Sequence, residues 1–159
     1  MASADIQKEP AKTATAQVVE QLYAGSSIGE IIGFDEKSSD ALYSMGYAFF
    51  MQGNFFEALK YFQYQLFFNH YDKRAAIGAG SCLSELGRYE ESLKPFGAAL
   101  LLDEDNDPYI SIQIAKSLMM YGKKVEAKTI LETIKTDYSR SQDFEKINES
   151  IEKLMIFCN

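Results

Sequence analysis

Two segments of the chain follow nearly the same pattern: QGNFFEALKYF at residues 52–62 and LGRYEESLKPF at residues 86–96. In each segment a glycine is followed two residues later by an aromatic residue. A small residue comes three positions after that, and a phenylalanine four positions later still. The offset between the segments is constant, so that Gly53 corresponds to Gly87 and Phe62 to Phe96. A pattern that recurs at a fixed distance of this size indicates a chain built from repeated structural units.

The repetition extends beyond these two segments, because a third copy follows them with one inserted residue. The matched positions in the three copies are Gly46, Gly80 and Ala115; Gly53, Gly87 and Gly122; Ala58, Ser92 and Ala127; and Phe62, Phe96 and Leu131. A period of about 34 residues with small residues at such positions is typical of the tetratricopeptide (TPR) repeat, a pair of antiparallel helices.

Each matched position has a physical role in such a pair. A small residue such as Gly46 lets the first helix (helix A) approach the second (helix B), and a glycine such as Gly53 supplies the turn between them. Phenylalanines such as Phe62 fill the space between neighbouring pairs. The pattern predicts helix A at about 39–52, 73–86 and 108–121, and helix B at about 55–69, 89–102 and 124–137.

We therefore predict an all-α fold, a short superhelical solenoid of three tandem TPR repeats with an N-terminal helical region and a C-terminal capping helix. The polar residues 1–10 are interpreted as a disordered arm. The remaining predicted boundaries are 11–38 for the N-terminal helical region, 39–141 for the repeats (39–72, 73–106 and 108–141) and 142–159 for the capping helix, which an open solenoid needs.

An apolar stripe in the N-terminal region precedes the repeats and has no repeat of its own to cover it. Its residues are Ala16, Val19, Leu22 and Tyr23. This arrangement favours dimerisation through the stripe when no other partner is bound. The alternative is that the stripe packs back on the first repeat.

Composition excludes several classes of partner. The net charge of −7 disfavours nucleic acid and anionic membrane surfaces, and no basic cluster offsets it. No apolar run is long enough to span a bilayer, and the first residues lack the apolar stretch of a secretory signal. The two cysteines, Cys82 and Cys158, have apolar neighbours and are interpreted as free thiols in a reducing cytoplasm.

The sequence shows no sign of a catalytic or metal site. His70 is the single histidine, and neither cysteine has a second metal ligand at a suitable spacing. The acidic segment ALLLDEDNDP, residues 99–108, lacks the glycine and the terminal glutamate of a calcium loop. We therefore predict a protein that is not an enzyme and needs neither cofactor nor metal.

Three longer stretches resemble the class II chaperones of bacterial type III secretion, TPR proteins that hold hydrophobic pore-forming translocators. They are GSSIGEIIGFDEKSSDALYSMGYAFFMQGNFFEAL (25–59), FFNHYDKRAAIGAG (67–80) and DNDPYISIQIAKSLMMYGKKVEA (105–127). The resemblance covers residues 12–140. The chain departs from the family pattern at Ala75 and Ala76, where a larger residue is usual, and at Ser81 and Ser84, which make the second helix A more polar.

In a TPR solenoid the A helices line the concave side, and helical spacing selects the residues that face it. The predicted peptide-binding groove consists of Tyr43, Tyr47, Phe50, Ile77, Ser81, Ser84, Tyr109, Ile112 and Lys116. The alternative is that its aromatic residues belong to the core. A carboxylate clamp of the kind other TPR proteins use is disfavoured, because Lys116 is the only basic residue in this set.

The resemblance implies a cytoplasmic chaperone of a Gram-negative bacterium that keeps translocators soluble without ATP. It also implies two translocator clients, an N-terminal client segment in the groove, and a partnership with a transcriptional regulator in the client-free state. The sequence leaves two alternatives open. One is a TPR adaptor or scaffold in another bacterial assembly, and the other is an enzyme regulator or structural subunit that uses the convex face.

Overall fold

The computed structural model describes residues 13–139 and 143–158, and every regular element in this part of the chain is an α-helix. The helices are α1 (Ala14–Tyr23), α2 (Ile28–Ile32), α3 (Glu36–Met51), α4 (Phe55–Phe68), α5 (Lys73–Glu85), α6 (Tyr89–Leu101), α7 (Pro108–Met120), α8 (Lys124–Asp137) and α9 (Phe144–Cys158). The predicted all-α class is confirmed. The predicted disordered arm, residues 1–10, lies outside the described residues.

Three helix pairs, α3–α4, α5–α6 and α7–α8, form the repeats, and each pair packs on the next. The turn inside each pair contains a glycine with positive φ: 74° at Gly53, 74° at Gly87 and 95° at Gly122. Residues with a side chain rarely adopt this backbone conformation, which explains why glycine recurs at this position of the repeat.

Aspartate caps fix where each A helix begins. The Asp35 carboxylate accepts a hydrogen bond from the Ser38 N–H at 2.9 Å, so α3 starts at Glu36, three residues before the predicted start of the first repeat. Asp72 caps α5 in the same way. Asp107 caps α7, whose first residue is Pro108, a position where the missing N–H has no cost.

Two buried phenylalanines join the repeats, and glycines make room for them. A Cβ atom on Gly46 would lie 3.0 Å from the ring of Phe62, and one on Gly80 would lie 2.7 Å from the ring of Phe96. A third glycine, Gly78, is also in close contact, since its Cβ would lie 2.7 Å from the Phe62 ring. The small residues of the repeat therefore leave space for an aromatic ring from helix B.

The two ends of the solenoid differ in how they are covered. Helix α9 packs on α7 and α8, and its Ile151 is fully buried with Leu131 and Ile134. In contrast, α1 contacts α2 and no other helix among the described residues, and none of its residues is buried. Its Tyr23 side chain is 90% exposed. The apolar stripe of α1 therefore does not pack on the first repeat.

No helix in the described part of the chain combines the length and the apolar character needed to cross a membrane.

Candidate functional site

Helices α3, α5 and α7 together surround a cavity of about 130 Å³, which we call the A-helix cavity. Its lining residues are Tyr43, Tyr47, Phe50, Phe62, Arg74, Ile77, Gly78, Ser81 and Tyr109. Side chains from all three repeats thus meet at one site on the side of the molecule formed by the A helices.

The cavity brings together six of the nine residues that the sequence placed in a groove: Tyr43, Tyr47, Phe50, Ile77, Ser81 and Tyr109. The other three lie elsewhere. Ser84 is buried, Ile112 packs against the cluster that joins α7, α8 and α9, and the Lys116 ammonium forms an ion pair with Glu85 at 3.7 Å.

Three lining residues were not in the predicted set: Phe62, Arg74 and Gly78. Phe62 belongs to helix B and was assigned only to the space between repeats. Gly78 has a signal in the sequence, since GAG at residues 78–80 contains a second glycine beside the matched Gly80. Arg74 has a signal as well, because it lies 35 residues before Tyr109, at the same position of the repeat as that predicted residue.

The floor of the cavity is the ring of Phe62, which reaches it from α4 between two glycines. A Cβ on Gly46 of α3 or on Gly78 of α5 would come within 3.0 Å of this ring. The absence of a side chain at Gly78 therefore lets the ring, which is only 2% exposed, border the cavity. An occupant would meet an aromatic surface at the deepest point.

The wall on the α3 side consists of tyrosines. The rings of Tyr43 and Tyr47 stack with centroids 6.3 Å apart, and Tyr43 lies 5.7 Å from Phe62. Burial raises the pKa of Tyr43, so its hydroxyl stays protonated at neutral pH. Tyr47 is 50% exposed and Tyr109 is 44% exposed, so both offer apolar surface to an occupant.

A second and larger hollow, which we call the B-helix groove, lies on the other side of α5. Its volume is about 500 Å³, and it runs between α4 and α6 over Ala79 and Leu83 of α5. His70 lies at one end of this groove, and Arg88 and Glu91 pair with each other at its rim.

Neither hollow contains a set of groups suited to catalysis. Among residues 13–139 and 143–158, no group of three or more His, Cys, Asp or Glu side chains is arranged to hold a metal ion. Burial raises the pKa of the Cys82 thiol to about 12, so it is not a nucleophile at neutral pH. The A-helix cavity is lined mainly by aromatic and apolar residues.

Comparisons with known proteins agree with this description. A family model described as "Tetratricopeptide repeat" matches residues 40–64, which include most of α3 and α4. The Low calcium response locus protein H of Yersinia pestis is 25% identical over 130 residues, which cover 80% of this chain and 77% of that protein.

Solved structures share the fold. A type III secretion complex from Aeromonas hydrophila matches with a TM-score of 0.80 at 18% identity, over 89% of this chain and 94% of that chain. The type III secretion chaperone SycD of Yersinia enterocolitica, in complex with a peptide of the translocator YopD, matches with a TM-score of 0.70 at 20% identity, over 78% and 94%. SycD has also been solved as an alternative dimer, which matches with a TM-score of 0.70.

These two solved structures are described as a complex and a chaperone of type III secretion. The resemblance predicted from the sequence is confirmed: in sequence and in fold, this TPR chain is similar to the chaperones of type III secretion translocators.

Proposed function

We propose that this chain is a cytoplasmic type III secretion chaperone that keeps hydrophobic translocator proteins soluble by holding an extended segment of the client in the A-helix cavity. The main support is that residues of all three repeats line one cavity, with aromatic rings from the first and third repeats and the side chains of Ile77 and Ser81 from the second. The solved relative SycD, which shares the fold, is described as binding a translocator peptide.

The proposed mechanism is passive. An apolar client side chain enters the A-helix cavity and contacts the Phe62 ring, while Tyr47 and Tyr109 cover it from two repeats. A few such aromatic contacts carry most of the affinity of a peptide-in-groove complex. No nucleotide is needed, because release requires only competition or unfolding of the client.

Dimerisation and further partners belong to the same proposal. The exposed face of α1, with Val19, Leu22 and Tyr23, would be covered by a second copy when no client is bound. The alternative dimer solved for SycD supports dimerisation of this chain. Two translocator clients and a transcriptional regulator are further partners that the family resemblance implies for this chain.

Binding is tested with translocator candidates, which are any proteins with long apolar helices found to be encoded beside the gene for this chain. Short overlapping peptides from each candidate are titrated calorimetrically against the wild-type chain and two matched variants. Tyr47→Ala removes a half-exposed ring that lines the cavity, and Tyr64→Ala removes a ring of similar exposure, 58%, that does not line it.

We expect Tyr47→Ala to weaken binding about thirty-fold, as for a loss of about 2 kcal/mol, and Tyr64→Ala to leave it unchanged. Equal affinities for the two variants would show that the client does not use the cavity. Failure of the chain to co-purify with any candidate would favour an adaptor or scaffold role.

The dimer is tested by sedimentation of the client-free chain. Val19→Asp combined with Leu22→Asp places charges in the exposed face of α1 and should convert a dimer to a monomer without loss of helix content. A wild-type chain that is monomeric at micromolar concentration contradicts this part of the proposal.

A further inference from the structure

Arg74, on the first turn of α5, is the one charged residue among those that line the A-helix cavity. Its guanidinium carbon lies 4.8 Å from the centroid of the Tyr43 ring, and its side chain is 52% exposed. A guanidinium stacks readily on an aromatic face, which limits its orientation. Arg74 is therefore both held in place and accessible to an occupant of the cavity.

Two carboxylates fix the guanidinium further. Nη2 donates to Asp40 at 3.0 Å and to Asp72 at 3.2 Å, and Nε donates to Asp72 at 3.4 Å. Asp72 is only 8% exposed and also accepts hydrogen bonds from Gln65 and from the Ala75 N–H. Three helices, α3, α4 and α5, thus determine where Arg74 lies.

Asp72 is ionised at neutral pH. Its burial acts to raise its pKa, but the hydrogen bonds from Gln65, Arg74 and Ala75 outweigh burial and hold the pKa below its ordinary value. One guanidinium between the two carboxylates of Asp72 and Asp40 gives the cluster a net charge of about −1 at neutral pH.

The two aspartates do not use all the N–H donors of the Arg74 guanidinium. Arginine has five N–H donors, and the two aspartates engage Nε and Nη2. The two N–H groups of Nη1 have no hydrogen-bond partner among the described residues. These donors are available to an oxygen atom of a bound segment.

Charge decides which kind of oxygen fits. A carboxylate near Nη1 would also approach the negative charges of Asp40 and Asp72, and repulsion between like charges at short range offsets the hydrogen bond. A main-chain carbonyl or an amide oxygen accepts the same hydrogen bonds without this repulsion.

We propose that Arg74 is a specificity-determining residue that donates from Nη1 to a main-chain carbonyl or uncharged side-chain oxygen of the bound segment. With Asp40 and Asp72, it rejects segments that carry an acidic residue beside the apolar side chain in the cavity. This inference rests on the proposed function of the A-helix cavity.

The test uses as its probe the tightest-binding peptide from the overlapping set described above. Arg74→Lys keeps the positive charge for Asp40 and Asp72 but has three donors instead of five. Arg88→Lys is the matched control, because Arg88 is similarly exposed and pairs with Glu91 outside the cavity. We expect Arg74→Lys to bind about tenfold more weakly, as for one lost hydrogen bond, and Arg88→Lys to bind like the wild type.

A glutamate scan of the probe tests the second half of the proposal. One position should show a loss of affinity of about tenfold or more, and Asp40→Asn should reduce that loss while leaving the other positions unchanged. Asp40 is 53% exposed, so this variant is expected to fold normally, as circular dichroism can check.

The outcomes separate the two proposals. If the wild-type chain binds no peptide, the proposed function fails and this inference fails with it. If the wild type binds but Arg74→Lys binds equally well, or if glutamate is tolerated at every position of the probe, this inference alone is overturned.

Discussion

The two junctions between repeats place a phenylalanine at the same position but use it differently. Phe62 joins the first repeat to the second, and Phe96, its counterpart in the next repeat, joins the second to the third. Both rings are buried, with Phe96 0% and Phe62 2% exposed, but the Phe62 ring also lines the A-helix cavity. Gly78 lies against the Phe62 ring, and the corresponding position of the third repeat, after the inserted residue, holds Gln113. The change from glycine to glutamine at this position thus accompanies the difference between the two junctions.

The largest expected effect on the free energy of unfolding comes from removing the buried phenylalanine ring at each junction. Phe96→Ala should lower the free energy of unfolding by about 4 kcal/mol, because it leaves an enclosed cavity. Phe62→Ala should cost less, because the space it leaves is continuous with the A-helix cavity. Urea denaturation of both variants measures the difference. A larger loss for Phe62→Ala would show that the first junction is as sealed as the second.

The second comparison adds a methyl group beside each ring. In Gly80→Ala and Gly78→Ala the new Cβ meets a phenylalanine at 2.7 Å. Phe96 has no space to move, so Gly80→Ala should lower the free energy of unfolding by about 1–3 kcal/mol. Phe62 can shift toward the cavity, so Gly78→Ala should cost less in stability but should weaken peptide binding.

Gly97 provides the control for both glycine variants. It lies inside α6, and a Cβ there would meet no atom within 4 Å. Gly97→Ala should therefore raise the free energy of unfolding by about 0.5–1 kcal/mol through helix propensity alone. If Gly80→Ala stabilises the chain as Gly97→Ala does, close packing of Phe96 against Gly80 is not the reason why small residues recur at this position of the repeats.

The contrast between the junctions also shows what the sequence could predict. The period of the repeat was enough to predict the helix pairs, because matched small residues such as Gly46 and Gly80 mark the places where helices cross. Helical spacing also put Tyr43 and Tyr47 on the face of α3 that lines the cavity. Both features depend on local geometry that recurs along the chain.

The remaining cavity residues could not be predicted in this way. Their positions depend on the distances between helices, and the spacing of residues along the sequence does not give those distances. Ile112 shares α7 with Tyr109 but packs against the apolar cluster formed by α7, α8 and α9, because α9 covers that side of the last repeat. Arg74 is held at the cavity by its contacts with Asp40 and Asp72, which lie across the predicted boundary between the first two repeats. Pairings of this kind can be seen only once the helices are in place.

A smaller effect concerns the acid stability of the first junction. The folded state holds the pKa of Asp72 below its ordinary value, so the carboxylate contributes stability above a pH of about 4. That contribution is lost as the pH falls through the lower folded value. Asp72→Asn keeps an N-cap acceptor but loses the charge beside Arg74, and should be less stable by about 1–2 kcal/mol at pH 7. The two proteins should converge in strong acid, and a constant difference across the pH range would contradict the role of the charge.

The smallest effect is the reactivity of Cys82, which reports on local opening of the first junction. Cys82 is fully buried and belongs to the same apolar cluster as Phe62, and burial raises its pKa to about 12. Reaction with iodoacetamide near neutral pH therefore requires the junction to open, whereas Cys158, which is only partly buried, should react faster.

Phe62→Ala loosens the cluster around Cys82, and Phe96→Ala acts on the other junction. We expect Phe62→Ala to accelerate labelling of Cys82 beyond what its loss of stability explains. If the labelling rates of the two variants simply follow their free energies of unfolding, Cys82 is exposed by global unfolding, and the first junction has no opening of its own.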